Sequence, residues 1–151
     1  MSGFIPDFNP DGVVTVNRVI LKPEYSVEDL EERVASLCEN VKTYHSETGF
    51  VGGMVVLNSG QVSNEGSTVG QAVASPLKDR EALIITFWRS FEEHEASHRS
   101  PTFQPLFAQV LELCENGNEE IAYTALWSGK AYDAEQAEAA RAAKEKYAHA
   151  A

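Results

Sequence analysis

Two histidines, His94 and His98, stand four residues apart, so any helix that carries them presents both on one face. The indole of Trp88 precedes them, and Phe103 and Phe107 follow. An imidazole titrates near neutral pH and can take a proton from a phenol or an enolisable carbon. An indole or phenyl ring offers a wall on which a planar aromatic can stack. The spacing of the histidines also suits a metal, or one of them could ligate haem iron. A protein-held metal normally has a third protein ligand, and no His-Glu-x-x-His context is present, so no metal is expected. Glu95 is expected to point away from the pair, within a solvated acidic turn that includes Glu92 and Glu93. The plainer alternative for the histidines themselves is a solvated helix face.

Other polar residues lie where a pocket could use them. Asn17 falls inside a β-branched run and shares a strand face with Thr15 and Val19. A buried amide needs partners, so Asn17 is either paired across a sheet or aimed into a pocket, where it would hold a carbonyl or enolate oxygen. Tyr44 is a further candidate for pocket lining. No Ser-His-Asp arrangement, dinucleotide-binding glycine fingerprint or zinc-ligand cluster can be read, and Gly66 to Gly70 lacks the Gly-Lys-Ser/Thr of a phosphate loop. Cys38 and Cys114 both fall in helical apolar patterns and read as free thiols, which suits a reducing, cytoplasmic compartment.

The elements that must position these residues follow from periodicity. Residues 13–22 are β-branched and predict a strand that Pro23 ends. Ser26 caps a helix whose first turn holds Glu28 and Asp29, and whose buried face repeats Val27, Leu30, Val34, Leu37, Val41 and Tyr44. Gly49 ends it, and residues 50–57 form a second strand. A long polar segment, 58–81, follows; it has the length of a lid, a dimer arm or an excursion, and has room for a helical turn near residues 69–74. Residues 82–88 form a third strand, apolar on both faces and hence covered on both. Ser90 and Glu93 match a capping box for a short helix that Pro101 interrupts. A second amphipathic helix begins near Thr102 and stops at Asn116-Gly117-Asn118. Residues 120–132 predict the fourth strand, with Tyr123 and Trp127 on its dimer-facing side. Asp133 then caps an alanine-rich surface helix.

The order strand, helix, strand, strand, helix, strand predicts an α+β, ferredoxin-like βαββαβ domain with an antiparallel sheet and its main helices on one face. A single domain spans residues 1–151, with its core at 13–132 and a helical extension at 133–151. The bare sheet face predicts a homodimer formed sheet to sheet. A net charge of −11 disfavours nucleic acid and anionic membranes as partners. The N-terminus has neither a basic segment nor a long apolar run, so no signal peptide is expected, and no stretch reaches membrane-spanning length.

The element order, Gly49-Phe50 at the second strand, and Trp88-x-Ser90 followed by Ala96-x-His98-x-Ser100-Pro101-x-Phe103 resemble the antibiotic-biosynthesis-monooxygenase-like family. The resemblance spans roughly residues 13–132. It implies a dimeric α+β barrel that takes a small aromatic or polyketide-like substrate. Its members include cofactor-independent oxygenases, haem-degrading enzymes and isomerase-like proteins, so fold alone does not settle function. The leading expectation is a cofactor-independent monooxygenase. A non-oxidative cyclase, isomerase or lyase, a non-catalytic barrel and a haem-binding one are the alternatives. His98 matches the family's histidine and is the expected base. His94 stands where the family more often has an apolar residue. The long 58–81 segment and the alanine-rich tail are also departures.

Overall fold

The computed structural model describes residues 11–60 and 74–150. Strand β1 (Val13–Ile20) alternates buried and half-buried residues along its whole length, as a strand with one covered face must. Helix α1 (Val27–His45) starts at a reciprocal capping box between Ser26 and Asp29 and buries Leu30, Val34, Leu37 and Val41. Strands β2 (Phe50–Leu57) and β3 (Glu81–Trp88) lie close to their sequence-expected ranges. Helix α2 (Phe91–His98), helix α3 (Phe103–Glu112), strand β4 (Glu120–Thr124) and helix α4 (Ala134–Ala150) complete the chain.

The sheet is antiparallel with order β2-β3-β1-β4, the ferredoxin-like arrangement. Its covered face is set by register. Val13, Thr15, Asn17 and Val19 of β1 stand opposite Trp88, Thr86, Ile84 and Ala82 of β3. That face packs with Leu30, Val34 and Val41 of α1 and with Phe103 and Val110 of α3 in one core. The opposite face leaves Met54, Val56, Ile121 and Tyr123 exposed. Among the described residues no helix is long and apolar enough to cross a membrane.

The structure corrects three expectations. Strand β4 ends at Thr124 rather than Tyr132, because β4 pairs only with β1 and Thr124 already stands opposite Val13, the first residue of β1. Ala125 makes the last bonds, to Gly12 and Asp11. Trp127 therefore lies beyond the strand, 84% exposed, and does not share a strand face with Tyr123. The capping box of α2 is half formed: the Ser90 hydroxyl accepts from the Glu93 amide, but the Glu93 carboxylate turns instead toward Gly49. The expected turn near residues 69–74 lies almost wholly outside the described residues. Over residues 134–148 helix α4 is exposed apart from the half-buried Ala137 and Ala140, the surface placement its alanine content implies.

Candidate functional site

The joint between β3 and α2 builds one wall of the site. Trp88 is the last residue of β3 and its indole is fully packed. Its Nε1–H donates to the Thr86 hydroxyl at 2.9 Å, and Thr86 in turn pairs with Thr15 across the sheet. Phe50 and His94 meet the indole edge-on, at centroid distances of 5.2 and 5.5 Å. One turn of α2 places His94 and His98 side by side, with ring centroids 4.3 Å apart. Phe103 stacks on His98 at 4.9 Å, and Phe107 stacks on Phe103 at 5.3 Å.

Both imidazoles face a carboxylate that comes from β4. The Glu120 Oε1 atom lies 3.2 Å from His94 Nε2 and 3.8 Å from His98 Nε2. Glu120 stands opposite Asn17 in the β1–β4 register, so both side chains project onto the helix-covered face. The Asn17 amide donates to Glu120 and, at 3.3 Å, to the side-chain Oδ1 of Asn118. On its other side, His94 Nδ1 lies 3.3 Å from the Glu95 carboxylate. That contact is close but not aligned as a hydrogen bond, so Nδ1 is buried without a formed partner. Glu95 is about half exposed.

These groups surround a cavity of about 50 Å³, walled by Trp88, Phe103 and Phe107 and by Cys38 and Val41 of α1, with Asn17, His94, His98 and Glu120 among its polar residues. That volume holds a few waters or a small ligand group.

Burial pushes the His98 imidazole below its usual range and the neighbouring His94 adds to this, while Glu120 and Glu95 oppose it. Burial by itself would raise the Glu120 carboxyl. The hydrogen bond and charge of His94, the charge of His98 and the Asn17 amide outweigh that, and Glu120 is held below the ordinary carboxylate range. A neutral His98 beside an ionised Glu120 can accept a proton, and the carboxylate then stabilises the imidazolium that forms. Both cysteine thiols are pushed up by burial and are not reactive nucleophiles.

Of the residues singled out from sequence, Asn17, Trp88, His94, His98, Phe103 and Phe107 converge on this cavity. Tyr44 does not. It is 57% exposed, because at the end of α1 it is His45 that turns inward, its ring 6.3 Å from the indole. The histidines are not a solvated face: His94 is only 3% exposed. Glu95 does not point away but abuts His94. Glu120 was missed. Its position at the start of an alternating strand was visible, but its register against Asn17 was not.

No family model matches the chain, and no curated protein does. Solved structures do match. SnoaB, a cofactor-independent oxygenase from Streptomyces nogalater, superimposes with a TM-score of 0.56 at 18% identity, over 78% of this chain and 96% of that one. A candidate antibiotic biosynthesis monooxygenase from Nitrosomonas europaea gives 0.58 at 11% identity, over 82% and 99%. The chain has the fold of the antibiotic-biosynthesis-monooxygenase-like proteins. The same fold is found in the hydroxynitrile lyase of Passiflora edulis, with a TM-score of 0.54 at 11% identity, over 81% of this chain and 100% of that one. An oxygenase and a lyase share this antibiotic-biosynthesis-monooxygenase-like fold, so chemistry has to be argued from the cavity.

Proposed function

We propose that this chain is a small-molecule enzyme that removes a proton from an enolisable or phenolic aromatic substrate, and that the resulting carbanion reacts with oxygen without a bound cofactor. His98 is the base, Glu120 stabilises its charged form, Asn17 positions Glu120, and Trp88, Phe103 and Phe107 flank the ring. The observation that carries this reading is the Glu120–His98 contact at the edge of an aromatic-walled cavity. Such a substrate supplies its own electrons once deprotonated. For anthrone as a probe, one oxygen molecule is consumed and anthraquinone and water are formed.

A second reading, a lyase or isomerase using the same base, is favoured by the small cavity, which suits a compact substrate better than a polycyclic one. Oxygen uptake by the metal-free protein with anthrone, set beside proton–deuterium exchange at the same carbon without oxygen, separates the two. His98→Ala is expected to lower the rate at least about 10²-fold in whichever assay is active. Unchanged turnover in that variant removes His98 from the mechanism. The exposed apolar sheet face supports a sheet-to-sheet homodimer as the working assembly.

A further inference from the structure

We propose that His94, His98 and Glu120 form a binding site for one divalent first-row transition-metal ion, open on its cavity side. This does not rest on the proton-transfer reading, since metal binding is measured without substrate; metal and proton are alternative occupants of the same nitrogen lone pairs.

The donor atoms already stand close to coordination geometry. One ligand atom from each of the three residues can be chosen so that all lie within 4.8 Å of one another. Glu120 Oε1 is 3.2 and 3.8 Å from the two Nε2 atoms. Bonds of about 2.0–2.2 Å to a tetrahedral ion place ligand atoms roughly 3.4 Å apart, midway between those distances. Two imidazoles and one carboxylate suit zinc, iron, cobalt or nickel, whereas magnesium and calcium prefer all-oxygen sets.

The residues behind the donors point the same way. Asn17 donates to Glu120 and so fixes its carboxylate. Glu95 approaches His94 Nδ1, which is buried and has no other partner. A metal-bound histidine characteristically gives its second N–H to a carboxylate in this way, which fixes the tautomer and aims the Nε2 lone pair at the ion. His94 is in fact placed between two carboxylates, one at each ring nitrogen. A neutral imidazole carries a single N–H and satisfies only one of them. A proton or a metal cation on the Nε2 side satisfies the other. The three residues leave a coordination position toward the cavity, which has room for water there.

The test is titration of the full-length, chelator-treated protein with Co²⁺, followed by visible absorption, and with Zn²⁺, followed by calorimetry. The expected result is one ion per chain with a dissociation constant of about 10 µM or tighter, and cobalt bands of a four- or five-coordinate site. Glu120→Gln keeps the shape and is expected to weaken binding at least about 10-fold. Glu95→Gln, outside the ligand set, is expected to weaken it about 10- to 100-fold. His45→Ala is expected to leave it unchanged. Circular dichroism confirms that each variant is folded. No saturable binding at about 100 µM metal, or parental affinity in Glu120→Gln, overturns the proposal.

Discussion

Gly49 links the fold to the site and carries a prediction that can be worked from its surroundings. It turns the end of α1 into β2 with a φ of 114°. A Cβ there would lie 1.9 Å from Glu93 Oε2, 2.5 Å from its Cδ and 2.7 Å from its Cβ. The backbone conformation alone costs an L-residue about 1–2 kcal/mol. The carboxylate has to leave its packed position, and the Glu93 Cβ belongs to α2 and moves only with the helix; together these add roughly 1–2 kcal/mol. Gly49→Ala should therefore destabilise by about 2–4 kcal/mol. At roughly 2–4 °C per kcal/mol for a chain of this size, Tm falls by roughly 4–16 °C. Glu93→Ala in the Gly49→Ala background removes the Oε2 and Cδ clashes but leaves the Cβ contact and the backbone strain. It should restore about 1 kcal/mol, a coupling large enough to read in a double-mutant cycle. Glu93→Ala alone removes a carboxylate oxygen that accepts no hydrogen bond and lies 3.8 Å from the exposed Arg89 guanidinium, and should cost little. Thermal and urea unfolding of the four proteins measures all of this. A Gly49→Ala protein within about 0.5 kcal/mol of the parent, or no recovery in the double variant, would refute the close-approach argument.

Three further outcomes follow from local geometry. Ser26→Ala breaks the capping box of α1 and should cost about 1 kcal/mol, seen as a Tm lower by roughly 2–4 °C. Glu81 is held below its usual pKa by hydrogen bonds from Arg18 and Asn58. Its contribution is thus complete above the ordinary glutamate range near pH 4.3 and is lost as pH falls through the lower folded value. Glu81→Gln should flatten the acid limb of a stability–pH profile below about pH 4.5; an unchanged limb would assign it to other carboxylates. Tyr123→Glu places a charge on the exposed sheet face; for the proposed sheet-to-sheet dimer it should shift sedimentation from dimer to monomer without lowering Tm by more than a few degrees, because the side chain is already half exposed.

Local patterns were enough for most of the elements and for one side of the site, though not for the end of β4. The alternation in β1 reveals which residues face the core, and it put Asn17 on that side. The Ser26 cap, the apolar stripe of α1 from Leu30 to Val41 and the four-residue histidine spacing each involve only neighbours along the chain and stand as read; Tyr44, placed at the end of that stripe, is exposed. The Trp88 face followed from alternation with Ile84 and Thr86 in the same way.

What the sequence by itself determined is which face each residue takes on its own element. Tertiary structure alone decided what lies across from that face. Glu120 reaches the histidines because β4 pairs with β1 in a register that sets Glu120 beside Asn17, and a shift of one residue would have turned it to the opposite face of the sheet. The same register stops β4 at Thr124 and leaves Trp127 outside it. Tyr44 fits the helical stripe of α1, but only the packing against Trp88 shows that His45 takes the inner place. Periodicity encodes local geometry, whereas opposition between elements depends on strand pairing and helix packing between residues distant in sequence. For that reason half of the His–Glu centre was legible before folding, and its carboxylate was not.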